Sequence, residues 1–136
     1  MGDCIFCKII GGEVPSARVY EDDEIVAFLD IMPISKGHTL VVPKRHCETL
    51  EEASEAMLAG ISAALKKLSR AVMIGTGAAG VNLLLANGKA AGQVVEHLHF
   101  HIIPRHEGDG LHFDANRGKY NGDELENYRN RIAVAR

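Results

Sequence analysis

The chain has 136 residues, of which 46% are hydrophobic and 24% charged, and its formal net charge is −3. This length fits a single domain over residues 1–136 that buries a core without crosslinks. No block of like charge is long enough to attract nucleic acid or a membrane surface, and no apolar run approaches the roughly 20 residues of a transmembrane helix. The first residues carry no signal-peptide pattern, so we expect a cytoplasmic protein.

Residues 16–43 predict three strands. Over 16–31, apolar and polar residues alternate on both sides of the acidic turn 21–24, which is the pattern of a hairpin with one buried face. The run 38–43 is rich in Leu, Val and Thr and ends at a proline, which suits the end of a third strand.

The rest of the chain predicts one long helix, two strands and a short last helix. Small and apolar residues recur at spacings of three and four over 53–72, which indicates an amphipathic helix. Strands are predicted over 81–86 and 97–103, and a weak pattern over 123–133 predicts a terminal helix. Because no βαβ alternation appears, we predict an α+β fold with an antiparallel sheet of about five strands, one long helix and a short C-terminal helix.

Two glycine-containing segments match phosphate-binding loops only in part. The segment 75–80 reads Gly-Thr-Gly-Ala-Ala-Gly, but the G-x-G-x-x-G motif binds phosphate only between a strand and the helix it opens. Here the predicted helix precedes the segment and a strand follows, so we interpret it as a connector. The run 88–90 lacks the Ser or Thr with which a P-loop binds magnesium, and we interpret it as a turn.

Three imidazoles lie at spacing two in the segment 97–103, which reads His-Leu-His-Phe-His-Ile-Ile. A strand turns alternate residues to one face, so His97, His99 and His101 are expected on one face and the bulky apolar residues on the other. A neutral imidazole is a nucleophile and a protonated one a proton donor near pH 7. The patch therefore favours phosphate chemistry, a metal site, or both.

This segment resembles the H-φ-H-φ-H-φ-φ signature of the histidine-triad (HIT) family, and the segments 37–44 and 87–93 resemble two other blocks of that family. The resemblance extends from Cys4 to about Pro104 and is strongest to the Hint-like branch. It implies a HIT-like fold, hydrolysis of adenosine or guanosine phosphoramidates or aminoacyl adenylates, and a homodimer joined through helix and sheet.

The resemblance also implies roles for individual residues. His99 would attack the α-phosphate and carry the nucleotide, His101 would assist the leaving group, and His38 would support both. Asp30 would hold the ribose hydroxyls. The other implied substrate-binding residues are Ile5, Phe6, Phe28, Ile31 and Leu40 for the base, and Asn87, Gly92, Gln93 and Val94 for the phosphate and leaving group.

Val94 departs from the pattern of this branch, which usually has a hydroxyl residue after Gly-Gln. The valine removes a hydrogen-bond donor to the phosphate or the leaving group. A hydrogen bond to a charged group is worth about 1.5–3 kcal/mol. The change does not exclude activity, but it leaves the preferred leaving group open.

Cys4 and Cys7 are separated by two residues, a spacing that lets both thiolates bind one zinc ion. Zinc needs further ligands, for which the sequence offers His46 and one histidine of the 97–103 segment. The resemblance implies the set Cys4, Cys7, His46 and His97, with one structural zinc per chain. The alternative is a pair of reduced, buried thiols, whereas a redox pair would lack the βαβ setting of thioredoxin.

Three other functions are alternatives to phosphoramidate hydrolysis. A dinucleoside polyphosphate hydrolase of the same family would be separated from a phosphoramidase by comparing turnover of the two substrate types. A nucleotide-binding module without turnover, for which Val94 is the best hint, would bind nucleotide and not hydrolyse it. A nucleotidyltransferase is disfavoured, since relatives of that type tend to have glutamine in place of the third histidine, and His101 is present.

Overall fold

Five antiparallel strands form one sheet, in the spatial order β1-β2-β3-β5-β4. The structure is a computed structural model and describes residues 2–114 and 116–136. The strands are β1 (Arg18–Glu21), β2 (Ile25–Leu29), β3 (Thr39–Pro43), β4 (Gly80–Leu84) and β5 (Phe100–Arg105). The helices are α1 (Ile5–Ile10), α2 (Glu55–Thr76) and α3 (Glu124–Ala135), with short 3-10 helices at Leu50–Glu52 and Lys89–Ala91. The predicted α+β class is confirmed.

Alternating residues of the central strands bury both faces of the sheet. In β2, Ile25 and Ala27 belong to a cluster beneath α2, whereas Val26 and Phe28 belong to a cluster on the opposite face. Because successive side chains of a strand point to opposite faces, a strand covered on both sides is apolar along its whole length. Helix α2 contributes Ile61, Ala64, Leu68 and Val72 to the first cluster, and α1 contributes Phe6 and Ile9 to the second.

Helix α2 begins two residues later and ends four residues later than the predicted range 53–72. Ser54 caps its start, since the Ser54 side chain accepts a hydrogen bond from the Met57 N–H at 3.1 Å. Gly77 caps its end at φ 71°, in the left-handed conformation that favours glycine. The segment 75–80 thus closes a helix and leads into β4, which confirms its interpretation as a connector.

The sequence pattern does not predict helix α1, because six residues are too few to show a helical period. Cys4 occupies the N-cap position, where its Sγ accepts a hydrogen bond from the Cys7 N–H at 3.4 Å. Phe6 and Ile9 are buried against the sheet. Tertiary packing therefore stabilises a helix that would not form alone.

The histidine segment is a strand only in its second half. β5 begins at Phe100, three residues after the predicted start, and the predicted range 97–103 is corrected to 100–105. Before Phe100 the chain departs from the strand ladder, and the Leu98 N–H donates to the Cys47 carbonyl at 2.7 Å. Leu98 and Ile102 are still fully buried on the α2 side, so the expected division between core-facing and site-facing side chains holds.

Helix α3 and strand β4 carry exposed apolar side chains. All residues of α3 are exposed. Strand β4 lies at an edge of the sheet, where Leu83 and Leu84 remain partly exposed. An edge strand of this kind is open to pairing with another chain. No helix among residues 2–114 and 116–136 combines the length and apolarity needed to cross a membrane.

Gly37, next to the site residue His38, is the glycine whose replacement the fold restricts most. Its φ is 99°, and an added Cβ would overlap the Cγ2 of Thr76 at the end of α2. We expect Gly37→Ala to lower the free energy of unfolding by about 2–4 kcal/mol, because left-handed strain and overpacking add. Denaturant unfolding measures this loss.

Two further variants separate the cost of the left-handed backbone from the cost of the overlap with Thr76. Gly12 has φ 83° and open space around its Cβ position, so Gly12→Ala should show the backbone cost alone, about 1–2 kcal/mol. Thr76→Ser removes Cγ2 but keeps the hydroxyl that donates to the Val72 carbonyl, and it should recover part of the loss in Gly37→Ala. Equal losses at both glycines, with no recovery, would contradict the proposed overlap.

Candidate active site and metal site

A cavity of about 510 Å³ is lined by residues of α1, the end of β2, β3 and the loop that precedes β5. This volume is typical of sites for small molecules. Ten residues predicted for the site line it, namely Ile5, Phe6, Phe28, Asp30, Ile31, Leu40, Gly92, Val94, His99 and His101. Other residues that line the cavity were not predicted from the sequence, among them Ile9, Val14 and Met32.

The inner wall of this cavity is apolar and partly aromatic. Phe6, Phe28 and Leu40 are buried, and the rings of Phe6 and Phe28 meet edge to face with centroids 5.5 Å apart. Flat aromatic ligands pack well against such a wall. The wall can therefore pack against a flat ring, and the role predicted for these three residues in binding the base stays a prediction.

His99 is held in one tautomer beside this wall. Its Nδ1 lies 2.6 Å from the carbonyl oxygen of His97, and since a carbonyl only accepts hydrogen bonds, Nδ1 carries the proton. In the neutral ring the Nε2 atom therefore keeps a lone pair. Burial lowers the pKa of His99, which favours this neutral, nucleophilic form.

His38 and His101 form a chain of hydrogen bonds with a defined direction. The Ile34 N–H donates to His38 Nδ1 at 3.1 Å, so the neutral His38 ring carries its proton on Nε2. This Nε2–H donates to His101 Nδ1 at 2.9 Å, which leaves the His101 proton on Nε2. Burial is the main cause that lowers the pKa of His101 to about 4, so the ring is neutral at pH 7. His38 itself lies behind the cavity and does not line it.

Asp30 lies on the cavity wall close to this chain. Its Oδ1 accepts a hydrogen bond from the Met32 N–H at 2.9 Å, and its Oδ2 is 3.8 Å from His38 Nε2. Asp30, His38 and His101 place three metal-ligand atoms within 4.8 Å of one another. A metal would need the Nε2 lone pair of His38, but the bond from Ile34 places a proton there. We therefore interpret these three residues as a path for proton transfer and not as a metal site.

Asn87 and Gln93, like His38, do not line the cavity. The Asn87 side chain accepts from the Leu50 N–H and donates to the Glu51 carboxylate. The Gln93 side chain accepts from the Gly88 N–H at 2.8 Å and donates to two backbone carbonyls. Both side chains hold the loops around the cavity together, and their predicted contacts with phosphate remain predictions.

The four residues predicted for zinc converge beside the same cavity. Ligand atoms of Cys4, Cys7, His46 and His97 all lie within 4.8 Å of one another. The Nδ1 atom of His97 is 3.4 Å from Cys4 Sγ and 3.1 Å from His46 Nδ1, and the Sγ of Cys7 is 3.4 Å from His46 Nδ1. A tetrahedral zinc site has ligand-to-ligand edges of about 3.3–3.8 Å. The quartet therefore fits a single zinc ion closely.

The tautomer of His97 also suits a metal ligand. Its Nε2 lies 2.8 Å from the Pro43 carbonyl oxygen, so Nε2 carries the proton and the Nδ1 lone pair faces the quartet. Metal-bound histidines commonly donate their second ring N–H to such a partner. Burial lowers the pKa of His97 and raises that of the Cys7 thiol, so two thiolates at this place would need a bound cation.

A family model and several known proteins are similar to this chain in sequence. A family model described as "HIT domain" matches residues 11–108. An uncharacterized HIT-like protein of Methanocaldococcus jannaschii is 53% identical over 107 residues, 79% of this chain and 82% of that protein. The adenylylsulfatase HINT3 of Arabidopsis thaliana is 49% identical over 109 residues, 80% of this chain and 55% of that protein. The adenosine 5′-monophosphoramidase hnt1 of Schizosaccharomyces pombe is 45% identical over 102 residues, 75% of this chain and 74% of that protein.

Solved structures resemble the chain over nearly its whole length. A crystal structure from Streptococcus mutans UA159 is 38% identical and has a TM-score of 0.92, covering 99% of this chain and 86% of the other. A Zn-bound histidine triad family protein from Mycobacterium smegmatis is 36% identical and has a TM-score of 0.79, covering 99% of each chain. Both similarities include the sheet and the helix α2.

We expect the purified protein to contain about one zinc per chain, bound by both thiolates. Cys4→Ser and Cys7→Ser should each remove most of the metal. Cys47→Ala is the matched control and should retain it, because the Cys47 thiol is buried beneath α2 near Met57. Metal analysis and the thiolate absorption of the Co²⁺-substituted protein measure this. An undiminished metal content after loss of both Cys4 and Cys7 would contradict the assignment.

Proposed function

This chain belongs to the HIT-domain family, and on that premise we propose that it hydrolyses nucleoside phosphoramidates or aminoacyl adenylates through a nucleotide bound to His99. The relatives named as an adenylylsulfatase and an adenosine 5′-monophosphoramidase support a nucleotide hydrolase in general. One observation carries the narrower proposal. The cavity pairs a free Nε2 lone pair on His99 with an Nε2–H on His101, in rings whose centroids are 5.0 Å apart.

The first step of the proposed reaction forms a bond from His99 Nε2 to phosphorus while the bond from phosphorus to the leaving group breaks. An amine leaves only with an added proton, which His101 can donate from Nε2 once the hydrogen-bonded His38–His101 pair has taken up one proton from solvent, so that both rings are neutral after the transfer. In the second step water attacks phosphorus, the N–P bond breaks, and the proton from water returns to the histidine pair.

The remaining cavity residues bind and orient the nucleotide in this proposal. The wall of Phe6, Phe28 and Leu40 holds the base, and Asp30 accepts hydrogen bonds from the ribose hydroxyls. Zinc in the Cys/His quartet would act structurally, since four protein ligands leave no position for water or substrate. Its ligand His97 presents the carbonyl that orients His99.

A homodimer, implied by the family resemblance, remains a prediction. It is supported by the open edge of the sheet at β4, where Leu83 and Leu84 are partly exposed. Light scattering decides between a mass of about two chains and the 14.7 kDa of one chain.

The covalent step predicts an isolable intermediate. After incubation with an adenosine phosphoramidate and a quench in base, mass spectrometry should find an adenylate on the peptide that contains His99. His99→Ala should abolish the adduct and lower kcat/KM by about 10³-fold or more. His106→Ala, which changes an exposed histidine outside the cavity, is the matched control and should retain both. Unchanged turnover in His99→Ala would exclude the mechanism.

The role of His101 predicts a dependence on the leaving group. We expect His101→Asn to lower kcat/KM by about 10²-fold for an adenosine phosphoramidate, because its amine must be protonated to leave. For an acyl adenylate the loss should stay below about tenfold, because a carboxylate leaves without a proton. Steady-state kinetics with both substrates measures the ratio. Equal losses for the two substrates would exclude His101 as the proton donor.

A further inference from the structure

The loop 31–37, between β2 and β3, supplies the N–H that fixes the tautomer of His38. The Ile34 N–H donates to His38 Nδ1 at 3.1 Å, and the Asp30 N–H donates to the His38 carbonyl at 2.9 Å at the base of the loop. The side chain of Ile34 is exposed, so its packing contributes little to holding this N–H in place. The position of the Ile34 N–H therefore depends on other contacts of the loop.

Ser35 attaches this loop to the sheet. Its hydroxyl donates to the Pro104 carbonyl at 2.6 Å, 69 residues along the chain, and its own carbonyl accepts from the His38 N–H at 2.9 Å. The pairing of β3 with β5 ends at Thr39 and Ile102, so the bond to Pro104 extends the contact with β5 beyond that pairing. Among the described side chains of residues 31–37, Ser35 is the one that hydrogen-bonds to another element.

The tautomer of His38 decides which nitrogen of His101 carries the proton. With the Ile34 N–H on Nδ1, the neutral His38 ring donates from Nε2 to His101 Nδ1 at 2.9 Å, and His101 keeps its own proton on Nε2. If the His38 proton moved to Nδ1, His101 would donate from Nδ1 and its Nε2 would carry a lone pair. Because His101 lines the cavity and His38 lies behind it, Nε2 is the His101 atom that a ligand meets.

We propose that Ser35 is a positioning residue, which holds the Ile34 N–H against His38 and so keeps an N–H on His101 toward the phosphate of the nucleotide. This inference rests on the proposed function, since it takes the ligand of the cavity to be a nucleotide. A phosphate monoester at pH 7 carries a charge of about −1.5 to −2 and offers acceptor oxygens. An N–H at this place binds these oxygens, whereas a lone pair repels them.

Removal of the Ser35 hydroxyl tests whether it fixes the tautomer. In ¹⁵N-histidine-labelled Ser35→Ala without nucleotide, we expect about half to four-fifths of His38 to carry its proton on Nδ1, against less than about a tenth in the wild type. The reversal stays partial because Asp30 Oδ2, 3.8 Å from His38 Nε2, still favours a proton there. Ser35→Thr keeps the hydroxyl and should restore the wild-type spectrum. Ser35→Val has nearly the same shape without the hydroxyl and should behave as Ser35→Ala.

Binding of adenosine 5′-monophosphate, the product of the proposed reaction, tests the contact with phosphate. The apparent Kd varies inversely with the fraction of molecules that are competent to bind, so it should rise about two- to fivefold in Ser35→Ala. Adenosine lacks the phosphate, and its Kd should change by less than about 1.5-fold. Calorimetry measures both constants, and the rise for the nucleotide should match the reversed fraction in the spectrum.

Ser54→Ala is the matched control for a purely structural effect. The Ser54 side chain caps α2 by accepting from the Met57 N–H, and Ser54 does not line the cavity. Its loss lowers the stability of the fold without touching the loop 31–37. We expect Ser54→Ala to keep the wild-type His38 spectrum and both wild-type Kd values.

The outcomes separate this inference from the proposed function. An unchanged His38 tautomer in Ser35→Ala and Ser35→Val would overturn the positioning role. A reversed tautomer with an unchanged Kd for the nucleotide, or equal losses for the nucleotide and adenosine, would overturn the contact of His101 with phosphate. Absence of nucleotide binding to the wild type would refute the proposed function itself, while the spectra would still decide whether Ser35 fixes the tautomer.

Discussion

The hydrogen bond from His99 Nδ1 to the carbonyl oxygen of His97, 2.6 Å long, is the contact on which the proposed chemistry of this site depends. It leaves the Nε2 lone pair of His99 free, because a carbonyl oxygen accepts and never donates. Two further bonds hold that carbonyl in place. His97 Nε2–H donates to the Pro43 carbonyl, and the Leu98 N–H donates to the Cys47 carbonyl. The residues that leave the strand ladder before β5 are thus the ones that orient His99, the proposed nucleophile.

Helix α1 connects the metal quartet with the cavity. Cys4 and Cys7 contribute two members of the quartet, and Phe6 between them lies edge-on to the rings of His97 and His99, with centroids 5.9 Å and 5.0 Å away. With six residues, α1 has little stability of its own. A metal ion bound by the quartet would therefore stabilise the cavity wall together with the His97 backbone.

Much of the fold could be predicted from the sequence because its apolar residues recur with clear strand and helix periods. The alternation in β2 and the spacing of apolar residues in α2 each report a buried face, and the structure places them on the expected faces. Ten lining residues and the four atoms of the Cys/His quartet were identified from the family resemblance, and the structure brings each set together. Their catalytic and binding roles remain proposals.

Other features depend on contacts that a sequence pattern does not encode. Helix α1 forms because Phe6 and Ile9 find a sheet to pack on. The late start of β5 at Phe100 follows from a bond to the distant Cys47 carbonyl. Asn87 and Gln93 bond to the loops around them, through partners up to 45 residues away. Tertiary contacts of this kind override local preferences in short segments and loops.

The protonation of the three site histidines in the resting protein is set by their hydrogen bonds and can be measured. In ¹⁵N-histidine-labelled protein at pH 7, long-range ¹H–¹⁵N correlation spectra distinguish a protonated ring nitrogen from one that carries a lone pair. The hydrogen-bond pattern predicts a neutral His99 with its proton on Nδ1, and neutral His38 and His101 with their protons on Nε2. A His99 ring that carries its proton on Nε2, or on both nitrogens, would have no free Nε2 lone pair and would contradict it.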